Sequence, residues 1–414
     1  MASATGLSDT LAKHYPGLST LSDTLLRDGL VGQSFEELLA TFSTSLNAAG
    51  FDIMRIHVTM RTNHPEFGSL AHRWLRDEGT HQENFTRSDT PQDDWLQSPL
   101  HYLLRMDADE LRQRLDEPAP RFDFPFFDEL RAQGATDYIV FKRFFDRRDG
   151  SLAIEGDALP EGCLLSIATD ALCGYSDRDL AVIRSLLSPL LLALKSFGNK
   201  KAAEDIATTY LGPDAGRRVL SGEILRGSVD HVEAVIFYFD LAGFTQLSEA
   251  LAGVDIIEML NDYFGLAVDI VTEHGGNVLK FMGDGMLAIF DVTAMEDANK
   301  NAIAATLSLR AAMADTSARR EAAGLAVTGF TLALHRGEVL YGNIGGRSRL
   351  DFTVIGPAVN TTARLSGMCA HVDQSIVISA PVARPLLHHC AALVSLGTYR
   401  LRGVASRQEL FTLD

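Results

Sequence analysis

The sequence predicts an α+β protein with more than one domain, and three observations support this class. The chain has 414 residues, enough for two or three domains. Residues 232–240 form a nearly continuous apolar run, which is typical of a central strand covered on both faces. Residues 277–290 alternate around an Asp-Gly pair, which predicts an antiparallel hairpin. Helical patterns at 256–274 and 298–313 flank these strands, so helices and strands share one domain.

Charge and hydropathy limit the classes of partner. The formal net charge is −17, and a field of that sign repels nucleic acid and anionic membranes. The most apolar stretch, Leu186 to Leu194, is too short to span a bilayer. We therefore expect no nucleic-acid partner and no membrane insertion.

The cysteines indicate a reducing compartment. No two of them form a CxxC pair or a metal-ligand spacing, and the N-terminus carries no secretory signal. We expect reduced core thiols in a cytoplasmic protein. The four residues are Cys163, Cys173, Cys369 and Cys390.

The N-terminal half predicts a short arm and then a small mixed domain. Residues 1–32 are expected to be the arm, and Ser34 with Glu37 forms a capping-box pattern for a helix over 33–49. Strands are predicted at 51–60, 69–75, 136–145 and 162–169, helices at 99–115 and 126–133, and a surface loop or lid at 76–94. This order over residues 33–175 resembles a GAF-type sensor domain at the level of fold, which implies a regulatory role.

A long helix is predicted over residues 176–210. Its apolar residues step by three and four along a heptad seam, which favours pairing with a second copy as a signalling and dimerisation helix. The alternative is that the helix packs on its own domain. Pro189 is expected to kink the helix, and Gly198 with Asn199 to end its first part. The seam residues are Leu180, Ile183, Leu187, Leu190, Leu194 and Phe197.

A helix breaker at 211–214 opens a compact joint over residues 211–231. The strand that follows ends at Asp240, and the hairpin tip carries Asp284. Two carboxylates held near glycines suit Mg²⁺, which prefers hard oxygen ligands and shares them with substrate phosphates. The amides of the sharp turn at 241–245 are placed to hold phosphate oxygens. These features predict a metal-dependent phosphoryl-transfer site.

Four ordered motifs resemble class III nucleotidyl cyclases over about residues 230–414. The resemblance implies a ferredoxin-like antiparallel sheet with helices on one side and a homodimer with two sites at its interface. It also implies that the catalytic domain covers residues 232–414 and that residues 211–231 form a cyclase transducer element. The motifs are Asp240-Leu-Ala-Gly-Phe-Thr245, Leu279-Lys-Phe-Met-Gly-Asp-Gly285, Gly342-Asn-Ile-Gly345 and Asp351-Phe-Thr-Val-Ile-Gly-Pro-Ala-Val-Asn-Thr-Thr-Ala-Arg-Leu365.

The family resemblance assigns metal and phosphate roles to particular residues. Asp240 and Asp284 match the two metal carboxylates, and the backbone carbonyl of Leu241 is the implied third ligand. Two Mg²⁺ or Mn²⁺ ions per site are expected, in a two-metal arrangement. Gly243, Phe244 and Thr245 match the phosphate-binding turn. Taken alone, a strand-end aspartate is more often a turn former or helix cap.

Lys280 and Thr353 match the positions that read the base. We expect Leu279 and Phe281 to face away from Lys280. A Lys–Thr pair resembles the adenylate cyclase subgroup that includes bicarbonate-responsive enzymes, and it fits the N1 and 6-amino groups of adenine. ATP is therefore the expected substrate. The alternative for Lys280 is a solvated surface charge.

Asn360 and Arg364 are four residues apart in a helix that begins near Pro357, so they share one face. The resemblance implies that Asn360 orients the ribose and that Arg364 stabilises charge on the α-phosphate. Arg402 stands where relatives usually have lysine against the terminal phosphates, and a plain surface arginine is the alternative. Gly342 and Gly345 are expected to serve close packing.

The sequence thus predicts a homodimeric adenylate cyclase that is regulated by its N-terminal domain. A guanylate cyclase and a catalytically silent nucleotide-binding module are the alternatives. The regulator is expected to be bicarbonate or an unknown small molecule. The N-terminal histidines show no pairing that indicates haem or metal; they are His57, His64, His72, His81 and His101.

Overall fold

The computed structural model describes residues 15–61, 67–86, 93–106, 108–118, 120–145, 162–404 and 406–414. The first fourteen residues of the predicted arm, part of the predicted lid and His64 lie outside this set. The chain divides into two compact units between Ile206 and Ala207. Both combine helices with largely antiparallel sheets, which confirms the α+β class.

The N-terminal unit is built on a six-stranded antiparallel sheet in the order β3-β2-β1-β6-β5-β4. The predicted capping box is present, since Ser34 accepts from the Glu37 amide and Glu37 accepts from the Ser34 amide. The elements are α1 (Leu21–Val31), α2 (Phe35–Ala48), β1 (Ile53–Arg61), β2 (Phe67–Leu75), β3 (Gly79–Thr86), α3 (Asp93–Leu96), α4 (Pro99–Arg105), β4 (Glu110–Arg114), α5 (Pro125–Ala132), β5 (Asp137–Phe144) and β6 (Gly162–Thr169).

Two predictions for this unit are wrong. The segment predicted as a loop or lid contains strand β3, which pairs with β2 along its whole length. The helix predicted over 99–115 ends at Arg105, and residues 110–114 form strand β4 beside β5. Both strands are polar and lie at the two edges of the sheet, where one face need not be apolar.

The long helix α6 (Asp177–Leu211) is unbroken through Pro189 and Gly198. Five of its seam residues are at most 2% exposed and belong to the core of the N-terminal unit: Leu180, Ile183, Leu187, Leu190 and Leu194. The predicted dimer seam is therefore wrong for these residues, because the helix packs on its own domain. Among the described residues, α6 alone has the length and composition to cross a membrane, and 50% of that window is buried within the protein.

The C-terminal unit carries an eight-stranded sheet in the order β13-β14-β12-β10-β7-β9-β8, with β11 paired to the distal part of β10. Neighbours are antiparallel except β10 with β12. The elements are α7 (Pro213–Leu220), β7 (Val229–Ala242), α8 (Phe244–Ala250), α9 (Gly253–Glu273), β8 (Asn277–Met282), β9 (Gly285–Asp291), α10 (Ala298–Ala322), β10 (Gly329–Gly345), β11 (Leu350–Ile355), α11 (Pro357–Ser366), α12 (Cys369–Val372), β12 (Ile376–Ser379), α13 (Ala380–Ala383), β13 (Leu393–Tyr399) and β14 (Gln408–Leu413).

Alternate residues of β7 bury opposite faces of this sheet. Phe237 and Phe239 pack in a core with residues of α9 and α10. Ala234 and Ile236 face a second cluster that includes Ala215 of α7 and Ala358 of α11. The expectation of helices on one side only is therefore wrong, because helices cover both faces of the sheet. Coverage of both faces explains the continuous apolar run of β7 in the sequence.

The cysteine prediction holds for two of the four residues. Cys163 and Cys369 are buried thiols, and burial raises the pKa of Cys369 to about 11. Cys173 is exposed and Cys390 is partly buried, so these two are not core thiols. All four are free.

Candidate active site

The two predicted metal carboxylates lie at adjacent ends of paired strands. Asp240 is near the end of β7 and stands opposite Gly285 of β9. Asp284 occupies the hairpin tip, as predicted, but the two-residue turn is Gly283-Asp284, because Gly285 already pairs with Met282 in the ladder. The amide of Leu241 donates to the backbone carbonyl of Asp284 at 3.0 Å. This bond fixes the hairpin tip against the strand that carries Asp240.

Gly285 allows the Asp240 side chain to lie against the hairpin. A Cβ atom at position 285 would be 2.9 Å from Oδ1 of Asp240 and 3.2 Å from the carbonyl oxygen of Phe239. Any side chain there would displace the carboxylate or the strand. Gly285, the first residue of β9, therefore serves the site by leaving room for the Asp240 carboxylate.

The electrostatics of this pair favour a cation. Burial and then the charge of Asp284 raise the pKa of Asp240 to about 6. Burial, Asp240 and Asp284 also raise the pKa of Tyr238, two residues earlier on the same strand face. Within the described residues neither carboxylate forms an ion pair. Two half-buried like charges without a countercharge are relieved by binding a divalent ion.

The donor set fits Mg²⁺ or Mn²⁺. Both ions prefer oxygen ligands, which Asp240 and Asp284 supply. In an antiparallel ladder the amide and carbonyl of one residue point toward the same neighbour. Because the Leu241 amide points to the hairpin tip, its carbonyl is directed to the same side. Over the described ranges no three His, Cys, Asp or Glu side chains group as a metal site, so a third protein ligand would be a backbone oxygen.

The predicted phosphate-binding turn forms the start of α8. Gly243 is the N-cap residue and has a φ of 70°, a left-handed conformation that glycine adopts without strain. The amides of Gln246 and Leu247 bond to the Gly243 carbonyl. The first-turn amides of Phe244 and Thr245 have no partner within the helix, as at any helix N-terminus. They are available to an anion beside the carboxylates.

Lys280 projects from β8 on the same sheet face as Leu287, its cross-strand partner. It forms an ion pair with Asp351 of β11. Thr353, two residues further along β11, is only 7% exposed. The structure therefore brings Lys280 to the strand that carries Thr353, with Asp351 as the group in contact.

The prediction that Leu279 and Phe281 both face away from Lys280 is wrong for Leu279. A β-bulge between Val278 and Lys280 inserts one extra residue, so Leu279 joins the buried cluster on the Lys280 side. Phe281 does face the other side, where its ring lies 4.8 Å from that of Phe264.

Asp351 is a site residue that the sequence reasoning missed. It precedes Thr353 by two positions in a predicted strand, and residues two apart in a strand share one face. This two-residue repeat was the sequence signal that could have placed Asp351 and Thr353 on the same face of the strand, beside Lys280. The pairing itself joins residues 71 positions apart, so no local pattern reports it.

Asn360 and Arg364 lie on the exposed face of α11, opposite its buried residues Ala358, Thr362 and Leu365. The predicted common face is thus confirmed. Among the described residues, neither makes a hydrogen bond or ion pair with Asp240 or Asp284. The chain therefore presents these two groups to solvent, away from direct contact with its own carboxylates.

Arg402 is exposed in the loop between β13 and β14. It lines an open pocket of about 480 Å³ formed by residues 400–404, which also contains Arg400. Gly342 and Gly345 are packing glycines, as expected. A Cβ atom at these positions would lie 2.1 Å from the carbonyl oxygen of Ser228 and 2.4 Å from that of Arg349, respectively.

Comparison with known proteins finds similarity over the part of the chain that carries this site. Residues 228–414 match the family model for the adenylate and guanylate cyclase catalytic domain. An adenylate cyclase of Anabaena cylindrica is 32% identical over 160 residues, covering 39% of this chain and 32% of the relative. Adenylate cyclase 1 of Rhizobium meliloti is 25% identical over 183 residues, covering 43% of this chain and 27% of the relative. An uncharacterized protein of Mycobacterium tuberculosis is 33% identical over 180 residues, covering 43% of this chain and 30% of the relative.

This chain therefore aligns with less than a third of the length of these relatives. Among solved structures, a bacterial light-regulated adenylyl cyclase is 26% identical with a TM-score of 0.40, covering 45% of this chain and 91% of that one. A guanylyl cyclase is 29% identical with a TM-score of 0.40, covering 45% of this chain and 93% of that one.

Proposed function

We propose that the protein converts ATP to 3′,5′-cyclic AMP and pyrophosphate at a homodimer interface, because residues 228–414 match the family model for the adenylate and guanylate cyclase catalytic domain. One observation carries the proposal. A single hairpin holds Asp284 at its tip against Asp240 and holds Lys280 on its strand, paired to Asp351. The hairpin thus combines a divalent-cation site with a cationic hydrogen-bond donor suited to a nucleobase.

Asp240, Asp284 and the Leu241 carbonyl would hold Mg²⁺ or Mn²⁺, two ions per site. When bound, such ions activate the ribose 3′-hydroxyl and neutralise charge on the triphosphate. The first-turn amides of Phe244 and Thr245, after Gly243, receive phosphate oxygens.

Base selection rests on Lys280 in this proposal. Its ammonium donates to N1 of adenine, while guanine presents an N–H there and repels a donor. Thr353 accepts from the 6-amino group. Asp351 orients the lysine through their ion pair, which leaves two ammonium hydrogens for the base.

The second half of each site comes from the partner protomer. Asn360 orients the ribose, and Arg364 stabilises the charge that develops on the α-phosphate. Arg402 contacts the terminal phosphates. Their exposure within one chain supports this arrangement, because groups that complete a shared site must be accessible to another copy.

Subunit mixing tests the shared site. Asp240→Ala and Arg364→Ala are each expected to lose nearly all cyclic AMP synthesis. A mixture under subunit exchange is expected to recover up to about a quarter of wild-type activity, because half the dimers are mixed and each has one intact site. Arg347→Ala, which changes an exposed arginine, is the control and keeps activity. Mixed dimers without recovered activity would refute the shared site.

Substrate choice is tested by comparing ATP and GTP turnover by the purified chain with Mn²⁺. Faster GTP turnover would make the protein a guanylate cyclase. No cyclic product from either nucleotide would make it a silent nucleotide-binding module.

The N-terminal unit is proposed to be a GAF-like regulatory domain of a cytoplasmic enzyme, with bicarbonate or another small molecule as the regulator. The proposal is supported by the order of its elements, a six-stranded antiparallel sheet followed by a long helix. Absorption and mass spectra of the protein as purified, together with activity measured with and without bicarbonate, test this. If the spectra show no retained ligand and the rate of cyclic AMP synthesis is the same with and without bicarbonate, neither proposed regulator is supported.

A further inference from the structure

Arg218 of α7 is fixed between acidic and aromatic groups of the C-terminal unit. Its guanidinium forms ion pairs with Glu223, at 2.7 Å, and with Asp230. The same group lies 5.4 Å from the ring centroid of Tyr341 and 5.3 Å from that of Phe352. Its side chain is 22% exposed, and the two rings are buried, whereas Glu223 and Asp230 are 46% and 56% exposed, so the aromatic contacts are the ones shielded from water. Arg218 is therefore held as a structural cation rather than a free surface charge.

The aromatic partners connect this cation to the strand that faces Lys280. Tyr341 and Phe352 pack edge to face, with centroids 4.8 Å apart and planes at 86°. Phe352 is 6% exposed and stands between Asp351 and Thr353. A shift of the Phe352 ring would move both neighbours, since all three residues share one short strand.

Tyr341 is itself held from two sides. Its hydroxyl donates to Asp214 of α7 at 2.9 Å and accepts from the side-chain amide of Asn277 at 3.2 Å. Asn277 begins β8, the strand of Lys280. The joint is thus hydrogen-bonded to Tyr341 of β10, which is in turn bonded to β8, the strand of Lys280.

The backbone of the joint also packs directly on β8. A Cβ atom at Gly212 would lie 2.9 Å from the Val278 carbonyl oxygen. Ala215 belongs to the same buried cluster as Leu279 and Phe352. The joint therefore contacts both β8, through Gly212, and β11, through Arg218.

We propose that Arg218 is a positioning residue for nucleobase selection, which holds β11 so that Asp351 and Thr353 stay in register with Lys280. The inference rests on the proposed function, because it assigns the base to this pair of strands. It predicts that changes in the joint alter nucleotide preference without touching the nucleotide. The acidic partners fix the guanidinium over the rings, and the rings transmit its position to β11.

The test compares three variants of the full chain. Arg218→Met keeps the aliphatic stem and removes the charge, and Arg218→Lys keeps a charge but cannot form both ion pairs. Arg217→Met is the matched control, since the neighbouring arginine on the same helix is 74% exposed and lies 3.8 Å from Asp214. kcat and KM are measured for ATP and GTP, with circular dichroism to monitor folding.

Arg218→Met is expected to reduce the ratio of ATP to GTP kcat/KM by about tenfold, chiefly through KM for ATP. Arg218→Lys is expected to recover part of that ratio, and Arg217→Met to stay within about twofold of wild type. A purely structural role would lower both activities together and leave the ratio unchanged. An unchanged ratio in a folded Arg218→Met protein would overturn the proposal.

A binding assay separates this inference from the proposed function. Displacement of a fluorescent ATP analogue by ATP and by GTP reports base preference even in a wild-type chain without turnover. If wild type makes no cyclic nucleotide but Arg218→Met still changes the displacement ratio, the positioning role stands and the cyclase activity fails. If wild type makes cyclic nucleotide and Arg218→Met leaves the ATP-to-GTP displacement ratio unchanged, the positioning role is refuted and the proposed function stands.

Discussion

Replacing Asp240 with asparagine is expected to stabilise the metal-free C-terminal unit while abolishing the proposed cyclase activity. The carboxylate lies beside Asp284 in a half-buried position without an ion-paired cation among the described residues. Asparagine has nearly the same shape and carries no charge, so it removes the repulsion. It also removes a metal ligand, and activity should fall below detection.

The magnitude follows from the carboxyl group. A pKa of about 6 in place of 3.8 corresponds to about 3 kcal/mol of unfavourable free energy at neutral pH. Because solvent reaches Asp240, screening reduces this to about 1–2 kcal/mol. For a unit of this size such a gain raises the melting temperature by about 2–8 °C.

The pH dependence has a defined sign. The pKa of Asp240 is higher in the folded state than in the unfolded state, so folding favours the protonated form. The destabilisation is absent well below pH 4, grows between about pH 4 and 6, and is constant above it. The advantage of Asp240→Asn should therefore be full at pH 7.5 and shrink as the pH falls toward 4.

The assay is thermal unfolding of wild type and variant in EDTA from pH 4.5 to 8. Asp315→Asn, at an exposed position of α10, is the matched control and should show no such gain. Adding Mn²⁺ should raise the melting temperature of wild type and leave Asp240→Asn nearly unchanged. A destabilised variant at pH 7.5, or a gain that does not vary with pH, would refute the reasoning.

Three further changes have expected outcomes. Burial, then Arg55 and Arg73, lower the pKa of His57 to about 3, so wild type should lose about 2 kcal/mol more stability than His57→Gln from pH 7 to 5, with His81→Gln as control. Gly342→Ala should cost at least about 2 kcal/mol in denaturant unfolding because its Cβ would meet Ser228, whereas Gly346→Ala, with its nearest atom at 4.0 Å, should not. Asp351→Asn should raise KM for ATP by up to about fivefold at unchanged kcat; a lower KM would contradict an orienting role.

Local signals predicted much of the catalytic unit correctly. The Asp-Gly signal predicted the hairpin with Asp284 at its tip, although the turn pair is Gly283-Asp284, and the four-residue spacing predicted the common face of Asn360 and Arg364. These features depend on residues close in sequence, where backbone preference and side-chain period act directly.

Features that depend on long-range packing were not predictable in the same way. Strand β3 is polar and gains its order from pairing with β2, so its composition resembled a loop. The break expected near Gly198 does not occur, because tertiary packing outweighs the modest cost of a glycine within a helix. The contacts of Lys280 with Asp351 and of Arg218 with Phe352 join distant segments, and only the fold brings them together.

The bulge in β8 has a consequence for how this hairpin can evolve. The register between the turn and Lys280 is regular, so Lys280 lies opposite Leu287. The extra residue is Leu279, on the far side of Lys280 from the turn, and the bulge accommodates it without changing that register. Loss of this one position would give a regular ladder and leave both Lys280 and Asp284 in place. Insertions or deletions between Lys280 and the turn would instead move the lysine to the opposite face. Length variation among relatives should therefore concentrate at Leu279, where the chain can lose or gain a residue without moving Lys280 or Asp284.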